Sequence, residues 1–155
     1  MTKVCVGFGH RDLAGEYAEE RIARAVMYAF KQGCGTFYTG YMGNFDVMFT
    51  KAVNELKEKF PDKNIRLICV RPYNTKEFTE NTEHYKKLFD SIEYPDEILN
   101  IYPPDAIKAR NRLLIDRSDA VIIYTERKAG GAHEAFKYAV SKDKTILKLP
   151  QGAVL

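Results

Sequence analysis

A glycine-bearing stretch at residues 36–46, TFYTGYMGNFD, could bind a phosphate. Strand-forming residues lead into a turn, and an apolar helical pattern begins directly after it. Because the first turn of a helix carries unpaired backbone N–H groups and the positive end of the helix dipole, it favours an anion. Gly40 and Gly43 lack a Cβ that would keep a ligand from the backbone, and Asp46 could cap the helix or hold a ribose hydroxyl. The stretch is neither a Walker A motif nor a full G-x-G-x-x-G.

Other chemically capable residues follow apolar runs that read as strands. Gly9, His10 and Arg11 come directly after the first such run. Arg11 could clamp a phosphate with two hydrogen bonds, or it could instead pair with a nearby acid such as Asp12 or Glu16. His10 could contact the same ligand or act as a general acid or base, because imidazole titrates near neutrality. Further along the chain, the same kind of position is occupied by Arg71 and by the pair Gly130 and Gly131.

The elements that must position these residues alternate between strand and helix along the whole chain. Buried-strand patterns are predicted at residues 4–8, 36–39, 65–70, 119–124 and 145–149. Helices are predicted at 16–31 and 44–60, around 83–91, after Asp105 and after Gly131. The pattern favours parallel βαβ units, so we predict a Rossmann-like α/β three-layer sandwich with a mainly parallel sheet of about five strands, in one domain over residues 1–155. Ligands bind such sheets beyond the carboxyl ends of the strands.

Composition excludes several classes of protein. Hydrophobic residues make up 45% of the chain, the formal net charge is only +3, and no run approaches the length of a membrane span. With no signal-peptide pattern at its start, we expect a cytoplasmic protein without membrane association. Three scattered cysteines and the distant His84 and His133 lack metal-ligand spacing, so we predict no metal site and no required cofactor. A homodimer is a further expectation for so small an α/β domain.

Several of these motifs together resemble the SLOG superfamily, which includes DprA/Smf and the LOG enzymes, and within it the small YpsA-like branch. The resemblance covers about residues 3–150 and is carried by the following residues: Gly9-His10-Arg11, the T-G-x-x-G-x-x-D from Thr39 to Asp46, Arg71-Pro72-Tyr73, the run from Arg110 to Tyr124, and Gly130-Gly131. It implies a nucleotide or a nucleotide-derived ligand in the groove above the sheet and a role as a sensor or regulator. The phosphate would rest on the Gly40–Gly43 loop and on Gly130 and Gly131, with its charge neutralised by Arg11 and Arg110. Ligand-binding roles for Thr39, Asp46, Arg71 and Asn111 follow from the same resemblance.

Two alternatives remain open at this point. LOG enzymes cleave a base from a nucleoside 5′-monophosphate, and that activity would require Glu134 as the catalytic acid and Arg110 as a phosphate holder. The later loop reads ERKAGGAHE, in which Glu134 falls one residue short of the LOG spacing and the Gly-Thr is absent. The second alternative is DprA-like binding of single-stranded DNA, against which the modest net charge and the lack of a basic run both count.

Overall fold

A computed structural model describes residues 2–154 of the chain. Its strands are β1 (Lys3–Gly9), β2 (Cys34–Thr39), β3 (Arg66–Val70), β4 (Ser91–Glu93), β5 (Ala120–Tyr124), β6 (Thr145–Leu149) and β7 (Ala153–Val154). Its helices are α1 (Glu16–Lys31), α2 (Asn44–Lys59), α3 (Lys76–Glu80), α4 (Thr82–Leu88), α5 (Pro103–Asp116) and α6 (Gly131–Ser141). Two short 3₁₀ turns lie at Pro61–Lys63 and Asp96–Ile98.

All these strands belong to one sheet in the order β4-β3-β2-β1-β5-β6-β7. The first six pair in parallel, and β7 pairs antiparallel with β6. After β1, the chain adds β2, β3 and β4 in turn on one side of it. The chain then crosses over and places β5 on the other side of β1, followed by β6 and β7. This reversal of strand order opens a crevice at the carboxyl ends of β1 and β5.

Two hydrophobic cores cover the two faces of this sheet. One core joins strand residues such as Cys5 and Ile122 to the apolar stripes of α1 and α2, including Ile22 and Phe49. The other joins the alternate strand residues, such as Val121, to Leu114 of α5 and its neighbours on α6. Because successive side chains of a strand point to opposite faces, one buried strand supplies both cores.

The predicted α/β three-layer architecture with a mainly parallel sheet is confirmed, and the described residues form more strands than the five or so predicted. The sheet has seven strands, of which six are parallel, and the two that the prediction omitted are β4 and β7. The segment predicted as one helix around 83–91 contains nearly all of α4 and, at its end, the first residue of β4. Within residues 2–154 the structure has no helix that is both long enough and apolar enough to cross a membrane.

Candidate functional site

A cleft of about 350 Å³ lies at the crevice between the carboxyl ends of β1 and β5. Nine of the predicted site residues line it: Gly9, His10, Arg11, Gly43, Asp46, Arg110, Asn111, Gly130 and Gly131. Four predicted residues do not: Thr39, Gly40, Arg71 and Glu134. The lining also contains residues that the sequence did not single out for a ligand: Phe8, Asp12, Met42, Ile107, Arg127, Ala129 and Ala132.

Arg110 is a buried cation in the wall of this cleft. Its side chain is only 4% exposed. Its Nη1 donates to the carbonyl of Val70 at 2.8 Å, and its Nε donates to Oδ1 of Asn111 at the same distance. Within residues 2–154, its Nη2 reaches only the sulfur of Met42, at 3.7 Å. Burial lowers the pKa of Arg110 to about 10, so the guanidinium is still charged at neutral pH.

No carboxylate in the described part of the chain comes within 4 Å of the Arg110 guanidinium. The same holds for Arg11, which is exposed at the cleft, so neither Asp12 nor Glu16 pairs with it. Asp12 pairs instead with Arg127, at 2.8 Å across the mouth of the cleft. The cleft therefore presents two guanidinium groups without a carboxylate partner, and its electrostatics favour an anion.

Asp46 is a carboxylate in the lining of the same cleft. It lies in the first turn of α2, and its Oδ2 accepts a hydrogen bond from the backbone N–H of Met42 at 2.8 Å. Burial raises the pKa of Asp46, although this hydrogen bond and the charges of Arg110, Arg11 and Arg71 act in the opposite direction. The carboxylate thus stabilises its own loop, and within residues 2–154 its other oxygen accepts no hydrogen bond.

Gly40 does not leave room for a ligand, contrary to the prediction. A Cβ at Gly40 would collide with the guanidinium of Arg110, which already fills that space. A Cβ at Gly43 would come within 2.7 Å of the Cα of Arg11. Both glycines therefore serve close packing inside the protein, where the β2–α2 loop meets Arg110 and the β1–α1 loop.

Four backbone amides at the β2–α2 junction are hydrogen-bonded within the protein. The N–H of Tyr41 donates to Oγ1 of Thr39, and the N–H of Met42 donates to Asp46. At the start of α2, the N–H of Asn44 donates to the carbonyl of Arg11 at 2.9 Å, and that of Phe45 donates to the carbonyl of His10 at 3.4 Å. These internal bonds leave the junction fewer amides for a phosphate than the sequence suggests, and within residues 2–154 the N–H groups of Gly43 and Asp46 have no acceptor. The phosphate cradle at this junction stays a prediction.

The N-terminus of α6 is different. Gly130 caps the helix with φ 94° and ψ 178°, and a Cβ at Gly130 or Gly131 would meet nothing within 4 Å. Helical bonding begins with the N–H of Glu134, which donates to the carbonyl of Gly130. Within residues 2–154, the N–H groups of Gly131, Ala132 and His133 have no acceptor. Gly131 and Ala132 line the same cleft as Arg110, so the helix N-terminus there can bind an anion.

His10 connects two loops that border the cleft. It is 9% exposed, and its Nε2 accepts a hydrogen bond from the N–H of Glu126 at 3.1 Å. This geometry assigns the ring proton to Nδ1. Burial, followed by the charge of Arg127, lowers the pKa of His10 from its ordinary value, so the imidazole is neutral at neutral pH. His10 and the Asp12–Arg127 ion pair both join the β1–α1 loop to the β5–α6 loop.

Arg71 and Thr39 support the site from behind. Arg71 is 4% exposed, and its Nη1 donates to the carbonyls of Gly40 and Tyr41, each at 2.9 Å. Its guanidinium lies 3.9 Å from the ring centroid of Phe78. Thr39 is fully buried and holds the same turn. Both residues therefore stabilise the backbone at Gly40 and Tyr41, against which the guanidinium of Arg110 packs.

Glu134 does not face the cleft. Its carboxylate is exposed and forms an ion pair with Lys137 at 3.1 Å, and it borders a separate groove between α5 and α6. The pKa of Glu134 is lowered, chiefly by its hydrogen bond with Lys137. Within residues 2–154, no three side chains of His, Cys, Asp or Glu are grouped as metal ligands would be.

The chain resembles several solved structures in fold. It matches no protein-family model and no curated protein in sequence. DNA processing protein A from Helicobacter pylori, described with its single-stranded DNA binding mode, is 19% identical at a TM-score of 0.66, with 96% of this chain and 66% of that chain covered. DprA from Streptococcus pneumoniae is 15% identical at a TM-score of 0.66, with 96% and 50% covered.

A third structure widens the comparison beyond DprA. The molybdenum cofactor binding protein from Rippkaea orientalis is 16% identical at a TM-score of 0.60, with 96% of this chain and 76% of that chain covered. The present chain thus spans about two thirds of one DprA structure and half of the other. The fold implied by the SLOG resemblance is shared with DprA, at identities that establish the fold alone.

Proposed function

We propose that this protein binds a small phosphate-bearing metabolite, derived from a nucleotide, in the cleft between β1 and β5. The phosphate lies at the N-terminus of α6, where the amides of Gly131 and Ala132 donate to it, and Arg110 and Arg11 neutralise its charge. The observation that carries this proposal is the buried Arg110 guanidinium, which faces the cleft with no carboxylate within 4 Å in residues 2–154.

The physical argument rests on the cost of burying a charge. A buried cation is unfavourable unless an anion or several strong hydrogen bonds compensate it. Within residues 2–154, Arg110 has only carbonyl, amide and sulfur partners, and burial lowers its pKa. An anion in the cleft would compensate the charge of the Arg110 guanidinium. Hydrogen bonds from a guanidinium or from helix N-terminal amides to an anion are charge-assisted, and they are stronger than bonds between neutral groups.

The arrangement favours binding and sensing over catalysis. The acid that a LOG-type hydrolase would need, Glu134, is exposed and paired with Lys137 outside the cleft. His10 is held as a neutral imidazole whose Nε2 already accepts a hydrogen bond. We therefore propose membership of the SLOG superfamily, in its small YpsA-like branch, with a regulatory role.

Calorimetric titration with nucleoside monophosphates, nucleoside diphosphates and ADP-ribose tests the proposal. We expect at least one of them to bind, and we expect Arg110→Met to weaken that binding at least about 30-fold, which corresponds to about 2 kcal/mol. Arg117→Met is the matched control, because Arg117 directly follows the same helix but pairs with Glu97 in solvent. Equal affinity of the folded Arg110→Met variant and the wild type would overturn the proposal.

The two alternatives have distinct outcomes in companion assays. Release of a free base from a nucleoside monophosphate, lost in Glu134→Gln, would establish a phosphoribohydrolase. DNA binding is suggested by the fold shared with DprA, and it predicts an affinity for single-stranded DNA that falls steeply with salt. We expect neither result, because Glu134 lies outside the cleft and because Arg127 in the cleft lining is already paired with Asp12.

A further inference from the structure

A groove of about 460 Å³ lies between α1 and the end of β6, and we call it the α1–β6 groove. Its lining comes from α1, from β6, from the turn at residues 150–152 and from Val154 of β7. In the described part of the chain, no residue lines both this groove and the cleft between β1 and β5. Its volume is within the range of pockets that bind small organic molecules, so it can be a binding site separate from the cleft.

One wall of the α1–β6 groove carries two positive charges. Arg21 and Arg24 are three residues apart on α1, so their side chains are neighbours on one side of the helix. Within residues 2–154, no carboxylate comes within 4 Å of either guanidinium, and the lining contains no Asp or Glu. The side chain of Arg21 donates only to the hydroxyl of Tyr124, at 3.3 Å. Because neighbouring like charges repel, an anion bound between the two arginines would be stabilised.

The opposite side of the groove is apolar. Ala25, Leu147 and Leu149 belong to the hydrophobic core and line the groove from below. Pro150 and Val154 extend this apolar surface outward, and Val154 is 49% exposed. An apolar group that settled against these residues would leave water, and it would remove part of their own surface from water as well.

Tyr28 gives the groove an aromatic ring that nothing else in the described structure covers. It is 40% exposed. Within residues 2–154, neither another aromatic ring nor a cationic group packs against it. A flat aromatic group in the groove could therefore stack on this ring or contact it edge to face.

We propose that the α1–β6 groove binds a small aromatic carboxylate. The carboxylate accepts hydrogen bonds from the guanidinium groups of Arg21 and Arg24, whose planar donors match its two oxygens. The aromatic body of the ligand contacts Tyr28 and the apolar residues at the end of β6. This site is independent of the proposed function, since none of its residues lies at the phosphate site of the cleft.

An NMR titration of the isotope-labelled protein with 2-naphthoate tests this inference. We expect saturable shifts of backbone amides at residues 21–28 and 147–152. We also expect an affinity at least about tenfold higher than that for 2-naphthamide, which has the same rings without the charge. Acetate, which has the charge without the rings, should likewise bind at least about tenfold more weakly than 2-naphthoate.

Two variants assign the parts of the ligand to the parts of the groove. We expect Arg24→Met to lower the affinity for 2-naphthoate at least about fivefold and to reduce its preference over 2-naphthamide. Tyr28→Ala should weaken the binding of both aromatic compounds. Arg66→Met and Tyr17→Ala are the matched controls, because Arg66 is exposed on β3, Tyr17 is 74% exposed on α1, and neither lines the groove.

Several outcomes would overturn the inference. These are the absence of saturable shifts with 2-naphthoate, shifts that centre on the cleft residues 9–11 and 130–132, and equal affinities for 2-naphthoate and 2-naphthamide. Unchanged affinity for 2-naphthoate in folded Arg24→Met or in folded Tyr28→Ala would contradict it as well. Should either variant fail to fold, the wild-type comparison of the two naphthyl compounds and the position of the shifted amides still decide the question.

Discussion

His10 makes the stability of the fold depend on pH in a predictable direction. Burial lowers its pKa in the folded protein below the ordinary value of 6.5. The neutral imidazole is thus favoured by folding, so its contribution is complete above pH 6.5 and is lost as the pH falls through the folded pKa. We expect the free energy of unfolding in urea to decrease from pH 7 to pH 5 more steeply for wild type than for His10→Gln, which cannot titrate. Parallel pH profiles would contradict this role.

The guanidinium of Arg110 fills the space that a side chain at Gly40 would need. A double-mutant cycle can measure the resulting coupling free energy between the two positions. Gly40→Ala would place a Cβ against the guanidinium, so we expect a loss of about 1–3 kcal/mol of stability from overpacking. In an Arg110→Ala background the same change should cost clearly less, because the obstructing group is gone. Urea unfolding of the four proteins checks this. Strict additivity would show that Gly40 and Arg110 do not compete for this space.

At the scale of elements, the two glycines at the start of α6 differ sharply in what they tolerate. Gly130 has φ 94° with ψ 178°, a region almost restricted to glycine, so Gly130→Ala should cost about 1–3 kcal/mol. Gly131 begins the helix, and its added Cβ would meet open space, so Gly131→Ala should leave stability within about 1 kcal/mol of wild type. Thermal unfolding of both variants is the measurement. Equal losses would contradict the assignment of strain to Gly130.

The sequence predicted the long elements well because their periodicity is strong. The predicted helix at 16–31 has the bounds of α1, and the prediction at 44–60 exceeds α2 by one residue. β4 and β7 contain only three and two residues, too few to show an alternating pattern. Their place in the sheet follows from pairing with β3 and β6, which is tertiary information.

The β2–α2 loop, which contains Gly40 and Gly43, has properties that the sequence could not predict. The predicted order of strand, loop and helix is confirmed. A helix N-terminus, however, binds a ligand only through amides that have no internal acceptor. The acceptors that occupy the amides of Asn44 and Phe45 are carbonyls of Arg11 and His10, more than thirty residues earlier in the chain. Arg71 likewise follows a strand end as predicted, yet its acceptors are carbonyls of the neighbouring β2–α2 loop.

At the scale of the whole molecule, the sheet order brings together residues from both halves of the chain. β1 stands at the centre, so the loop after it carries His10 and Arg11 to the same edge as the loop that precedes α6. Arg110 reaches this edge from α5 on one face, whereas Asp46 comes from α2 on the other. A ligand in the cleft would therefore contact both layers of helices at once.

This arrangement predicts a specific pattern of hydrogen exchange across the chain. Saturating the protein with a nucleoside monophosphate should slow exchange at residues 130–133, whose amides lack acceptors in the described structure, and in the β5–α6 loop. Exchange at residues 41–45 should change little, because the amides of Tyr41, Met42, Asn44 and Phe45 are already bonded internally. In Arg110→Met, the same ligand concentration should not slow exchange at residues 130–133 or in the β5–α6 loop. Amides that bind a ligand exchange more slowly than free amides. Stronger protection at residues 41–45 than at 130–133 would therefore place the phosphate at the β2–α2 loop and contradict its assignment to α6.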